Sequence, residues 1–150
     1  MMLRRAKKND FEEYLKLKRL EEKEYSKIIA EKLVYPKDFY LRKEFLGILN
    51  SKKDFLFFVE NNKKLVGYLQ GNLIRTIYSS YGYISDIFVL KTFRRKGIAT
   101  ILIKRFIKTI KNMGYKKMYL KINVRNKRAL KLYKNLGFDI KHYNMRKQWK

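Results

Sequence analysis

The sequence has no cysteine, one histidine (His142) and one proline (Pro36). Without thiols neither a disulfide framework nor a thiolate metal site can form, and a single imidazole cannot build a histidine cluster, so no metal is expected. Long apolar runs are also missing. None approaches the roughly 20 residues that span a bilayer, and Met1-Met2-Leu3-Arg4-Arg5 passes straight into charge, which predicts a cytoplasmic protein with no membrane segment. Acidic residues are scarce: 13 Asp plus Glu stand against 38 Lys plus Arg, a net charge of +25. They are scarcest late in the chain. Residues 91–150 hold 20 basic side chains and one carboxylate, Asp139, whereas residues 1–90 hold 18 basic and 12 acidic ones. Such a field speeds the arrival of polyanions, whether a phosphorylated cofactor, a nucleic acid or a ribosomal surface. A compositional drift toward Lys, Ile and Asn is the other reading of the same numbers.

What is present suits one globular domain over residues 1–150: a hydrophobic fraction of 46% with 12 Tyr and 10 Phe, and neither repeats nor a linker. The chain is organised around Arg94-Arg95-Lys96-Gly97-Ile98-Ala99-Thr100. Upstream, Ile84-Ser85-Asp86-Ile87-Phe88-Val89-Leu90 has strand composition. Downstream, Ala99, Leu102, Ile103, Phe106, Ile110 and Met113 recur at helical spacing. A glycine at this junction lets the backbone approach a ligand, and the first N–H groups of the helix point outward with the positive end of the dipole behind them. That is an anion cradle in outline, although a single Gly beside solvated basic residues is also an ordinary strand-to-helix turn.

Before the cradle, Leu3-Arg4-Arg5-Ala6 is a short strand, and Asn9 or Asp10 caps a helix carrying Phe11, Tyr14, Leu15, Leu17 and Leu20. After Pro36 a second helix carries Phe39, Tyr40, Phe45, Leu46 and Leu49. These two helices are expected to cover a sheet face and shape a cleft, without chemistry of their own. Residues 54–60 and 64–71 form a hairpin turning at Asn61-Asn62-Lys63. Gly67 and Gly71 in its second strand read as tolerated small residues ahead of a bulge or a close approach. Beyond the cradle helix, residues 117–124 alternate as a strand. Arg125-Asn126 opens a helix with Ala129, Leu132, Tyr133 and Leu136 on one face and Lys127, Lys131 and Lys134 on the other. After Gly137 a last strand begins at Phe138-Asp139-Ile140. The predicted order is strand, helix, helix, hairpin, strand, helix, strand, helix, strand: an α/β domain with a mixed central sheet.

Arg94-x-x-Gly97-x-Ala99 after a strand, followed by Asn126-x-x-Ala129-x-x-x-Tyr133-x-x-x-Gly137-Phe138, resembles the GCN5-related N-acetyltransferase (GNAT) superfamily. Residues 82–138 carry most of the likeness. Gly82-Tyr83-Ile84-Ser85-Asp86-Ile87-Phe88-Val89 and Phe93 to Ala99 are close to protein N-terminal acetyltransferases, and Asp86-Ile87-Phe88-Val89 equally to polyamine and small-amine members. The resemblance implies acetyl-CoA as donor and a primary amine as acceptor, on a protein N-terminus, a lysine or a small molecule. It further implies that the main chain of Ile87, Phe88 and Val89 pairs with the pantetheine arm, and that the amides of Arg95, Lys96, Gly97, Ile98, Ala99 and Thr100 hold the pyrophosphate. Arg94, Arg95 and Lys96 would add charge, and Asn126 would bond the cofactor near the thioester.

Direct attack of an amine on the thioester needs a proton acceptor, a donor to the developing oxyanion, here the N–H of Val89 or Phe88, and a proton for the leaving thiolate. Tyr133 stands where the family keeps its general acid; a core aromatic between Leu132 and Leu136 is the bland reading. For the base, Asp86 is the carboxylate of the strand leading to the cradle, yet it equally suits a structural ion pair with a lysine or backbone amide. Many relatives carry Glu at the position of Ser85, and histone-type members at that of Tyr83. Both carboxylates are missing, so water relays, Tyr81 and Tyr83 stay open. Glu12, Glu13, Glu21, Glu22, Glu24, Glu31, Asp38 and Glu44 cluster in the two early helices, a mixed half for an amine beside a basic half for an anionic cofactor. The competing reading is a basic RNA- or ribosome-binding module on the same fold with little or no catalysis. The assembly is expected to be a monomer or homodimer.

Overall fold

The computed structural model describes residues 1–149. Strand β1 (Met2–Arg5) leads through a 3-10 turn into helix α1 (Phe11–Ile29), followed by α2 (Asp38–Asn50). Strands β2 (Asp54–Asn61), β3 (Lys64–Arg75) and β4 (Ser80–Val89) follow, then α3 (Ile98–Asn112), β5 (Met118–Leu120) and α4 (Lys127–Asn135). The sheet runs in chain order from β1 to β5. Every neighbouring pair is antiparallel except β4 and β5, which are parallel and joined by the α3 crossover.

Each face is covered by one pair of helices. α1 and α2 close one core with Phe11, Tyr14, Phe45, Phe58, Tyr68 and Phe88. α3 and α4 close the other with Phe57, Leu69, Leu102, Ile103, Phe106 and Tyr133. α3 owes this to an apolar stripe at three- and four-residue spacing, Ile98, Leu102, Phe106 and Ile110 among its buried residues.

Four expectations are corrected. Asp10 does not cap α1: its carboxylate takes the Lys7 N–H at 2.6 Å and a two-pronged contact from Arg4 at 2.7 and 2.8 Å, because the chain enters through a 3-10 turn that points the side chain back. Gly67 and Gly71 are required rather than tolerated. A Cβ on Gly67 would lie 2.9 Å from the Phe88 carbonyl oxygen, and one on Gly71 would lie 2.6 Å from the Phe106 ring. The register shifts beside each, and opposite Gly71 the extra residue is Ser85. β5 is only three residues long, and among the described residues no strand follows Gly137. Phe138 packs edge-on against Tyr133 at 5.3 Å, but beyond it Ile140, Tyr143 and Met145 are exposed and Arg146 reaches Glu31 at 3.0 Å. Alternation alone does not make a strand; the segment carries Lys141, Arg146 and Lys147 and would have to pair along an edge flanked by Lys116, Lys117 and Lys121.

Candidate active site

β4 and β5 pair only at Gly82, Tyr83 and Ile84, so beyond Ile84 one side of β4 has no neighbouring strand. β4 nevertheless stays paired with β3 as far as Val89. Main-chain groups alternate sides along a strand. The Leu90 N–H donates to the Val66 carbonyl at 2.9 Å, which turns Phe88 toward β3 and Ile87 and Val89 toward the open side. Phe88 is therefore removed from the main-chain contacts expected of residues 87–89. The Val89 carbonyl accepts from Arg94 Nε at 2.8 Å, leaving the Val89 N–H and both Ile87 groups facing the gap.

The open edge leads into the cradle. Arg95 and Gly97 both have positive φ, +61° and +76°, and α3 starts at Ile98. The next bonded amide is Ile101, which donates to the Gly97 carbonyl at 2.9 Å. Among the described residues, the six successive N–H groups of residues 95–100 have no acceptor. This is what the first turn of a helix leaves over, extended by two left-handed residues. Arg95 and Lys96 are exposed beside it. Arg94 is not available there: its other arm pairs with Glu24 at 2.5 Å and its guanidinium lies over the Phe88 ring, so it fastens the end of β4 to α1. Arg128 of α4, unremarked in the sequence, also lies near the cradle; burial and then the neighbouring Arg94 lower its pKa below the usual arginine range.

Beside the open edge lies a cleft of about 500 Å3 between α1, the first half of α2, β4, the segment at the end of β5 and α4. Asp86, Ile87, Asn126 and Tyr133 all line it, so the structure brings β4 and the Asn126–Tyr133 half of the motif to one cleft. Tyr133 is 6% exposed, and burial, followed by the nearby Asp86 charge, pushes its phenol well above the usual range; it stays a proton donor at any physiological pH. Asn126 caps α4, its Oδ1 accepting from the Ala129 N–H at 3.2 Å, which leaves its Nδ2 group for another partner.

α1 brings Lys18 and Tyr25, which the sequence did not single out, beside two carboxylates of its acidic cluster. Lys18, Glu21, Glu22 and Tyr25 line the cleft with Glu44 of α2, and Lys18 Nζ sits 2.6 Å from Asp86 and 3.3 Å from Glu21. Burial works against the Lys18 ammonium, but Asp86 and Glu21 outweigh it and raise its pKa above the ordinary value. Asp86 is thus engaged in an ion pair, the structural role weighed for it. Glu21 is raised above the ordinary carboxylate range by burial, against the pull of Lys18. The residues Lys18, Glu21, Glu22 and Tyr25 follow a helical period, a signal that becomes readable only once the other side of the cleft is known.

The acetyltransferase (GNAT) family profile matches residues 14–138, and the chain belongs to this family. It is 33% identical over 144 residues to an uncharacterised N-acetyltransferase of Methanocaldococcus jannaschii, a match covering 93% of this chain and 61% of that one. It is 41% identical over 58 residues to an N-alpha-acetyltransferase of Saccharolobus solfataricus, covering 38% and 35%. The chain therefore spans about three fifths of the first relative and about a third of the second. The fold superposes on a point variant of a Bacillus halodurans protein with a TM-score of 0.90, 21% identity and full coverage of both chains. Among the described residues no helix is long and apolar enough to cross a membrane, and no group of His, Cys, Asp and Glu is arranged to hold a metal ion.

Proposed function

We propose that the chain is an acetyl-CoA-dependent N-acetyltransferase whose acceptor is a primary amine entering the cleft beside Glu21. The observation that carries this is the continuity of the open β4 edge with six successive amides that have no acceptor among the described residues, beside a cleft that Ile87 lines together with the buried Tyr133. These residues fit acetyl-CoA. Successive free N–H groups suit a pyrophosphate, and unpaired main chain suits the amides of the pantetheine arm.

In this reading the amides of residues 95–100, with Arg95, Lys96 and Arg128, hold the phosphates. Ile87 and Val89 pair with the arm, and Asn126 Nδ2 bonds it near the reacting end. Acetyl-CoA, when bound, supplies an acyl group on a thiol leaving group. The remaining work falls to the chain. Glu21 accepts the proton of the incoming ammonium, because a carboxyl with a raised pKa is a better base near neutrality than an ordinary one. Lys18 keeps Glu21 and Asp86 in place. The Val89 N–H donates to oxygen where negative charge develops, and the Tyr133 hydroxyl provides the proton donor for the departing sulfur.

The acceptor follows from charge. Four carboxylates, Glu21, Glu22, Glu44 and Asp86, line the cleft against Lys18 and Lys121, so a cation is drawn in although the protein carries +25. A peptide N-terminus is favoured over a polyamine, because a 58-residue stretch of the chain is 41% identical to an N-alpha-acetyltransferase. Thiol release with free-N-terminus peptides, N-terminally blocked lysine peptides and polyamines tests the acceptor. Turnover of free-N-terminus peptides alone is expected, and turnover of polyamines alone reassigns it. Failure to bind acetyl-CoA in a calorimeter at physiological salt would overturn the whole reading. The comparisons give no support to a non-catalytic binding module.

A further inference from the structure

The charge asymmetry along the sequence becomes an asymmetry between the faces of the sheet. α1 and α2, from the balanced part of the chain, cover one face; α3 and α4, from the part whose sole carboxylate is Asp139, cover the other. A compositional drift acts on a whole gene and would tilt both parts. It does not explain carboxylates retained under one face and absent over the other.

The basic side chains of that face are also uncompensated. Among the described residues after position 90, only Arg94, Lys141 and Arg146 have carboxylate partners. Lys104, Lys108 and Lys111 are exposed on α3 at i, i+4, i+7 spacing, one side of the helix, and Lys127, Lys131 and Lys134 repeat the spacing on α4. Like charges so placed repel by a few tenths of a kcal/mol per pair, about 0.2–0.5 in isolated helices, a standing cost that the fold gains nothing from.

Acetyl-CoA does not account for them. At 1.5 Å per residue, Lys104 and Lys111 lie about 10 and 21 Å along the helix from Gly97, leading away from the cradle. The chemistry of the face narrows the partner. Neither helix exposes an aromatic ring on which a base could stack, and the one large apolar side chain exposed on them is Ile101, too little to enter a bilayer. What remains is two rows of ammonium groups suited to phosphates.

We propose that the α3–α4 face binds the phosphate backbone of a double-helical nucleic acid, without reading its bases and in addition to acyl transfer. Fluorescence anisotropy with labelled 20-bp RNA and DNA duplexes of several sequences, between 50 and 300 mM salt, tests it. Sequence-independent binding is expected, with a log–log salt slope of about −4.5, as for some five neutralised phosphates. RNA bound more tightly than DNA would identify A-form geometry as the target, and equal binding the backbone alone. The variant Lys104→Glu/Lys108→Glu/Lys131→Glu/Lys134→Glu should weaken duplex binding by 100-fold or more while acetyl-CoA affinity, measured by calorimetry, stays within twofold. Lys8→Glu/Lys32→Glu/Lys52→Glu/Lys63→Glu changes net charge equally away from this face and should cost far less. No duplex binding at 100 mM salt would overturn the proposal. So would equal losses in the two variants, or displacement of the duplex by polyglutamate at matched charge, which would mark the face as one for an acidic protein.

Discussion

Lys18 of α1 and Asp86 of β4 meet at 2.6 Å across 68 positions of sequence, and the same ammonium reaches Glu21 at 3.3 Å. This contact fixes α1 against the strand that leads to the cradle, so the cleft wall and the cleft floor are set by one partly buried charge. Lys18→Met removes the partner of two partly buried carboxylates and is expected to cost about 3 kcal/mol of stability in urea unfolding. Adding Asp86→Asn should return part of that loss. A cost below about 0.5 kcal/mol would show the pair to be an ordinary surface contact.

Glu21→Gln tests the proton acceptor through pH. Burial raises the Glu21 carboxyl, so in the folded protein it takes up a proton at a higher pH than in the unfolded chain. The working form is the ionised one, and kcat/KM should therefore fall as pH drops through that raised pKa. The variant should lower kcat/KM by about 100-fold near neutrality and flatten the acidic limb. An acidic limb that survives the substitution would place proton acceptance on another group.

Tyr133→Phe keeps the ring that packs on Phe138 and removes the hydroxyl. Turnover should drop by about 100-fold, with acetyl-CoA affinity changed less than about threefold. Equal losses in turnover and affinity would make Tyr133 a binding residue only.

Gly97→Asp places a carboxylate beside six free amides and a side chain at φ +76°. Isothermal titration should find acetyl-CoA binding abolished while the thermal midpoint falls by only a few degrees, because no neighbouring atom lies within 4 Å of the new Cβ. Normal binding would refute the cradle.

Gly71→Ala tests the packing under the bulge. The added methyl would sit 2.6 Å from the Phe106 ring and 2.9 Å from the Tyr83 carbonyl oxygen, so helix or strand must move. A loss of about 2–3 kcal/mol in chemical denaturation is expected. Near-wild-type stability would mean that α3 slides freely over the sheet.

Periodicity read the helices well because each buries one stripe against the sheet, and that stripe is written in local spacing. It failed after Gly137. Residues 138–145 alternate adequately, but a strand needs a partner edge, and the edge available at β5 is short and lined with like charge. The glycines failed differently. Nothing near Gly71 in sequence announces Phe106, which arrives from the next helix.

The sequence by itself determined the strand–glycine–helix junction at residues 94–100, since a strand end, a glycine and a helix start are local features whose free amides follow from chain geometry. It also determined the family, through the spacing of that junction to the Asn126–Tyr133 helix. Only the tertiary structure decided which side chains meet at the cleft and which are engaged elsewhere. Arg94, expected at the phosphates, is held by Glu24 and the Val89 carbonyl; Phe88 turns its main chain to β3; Asp86 is spoken for by Lys18; and Glu21, one acidic residue among many in α1, lines the cleft partly buried beside Lys18. These assignments depend on partners as far apart as 70 positions, and on the burial those partners create, neither of which a local pattern contains.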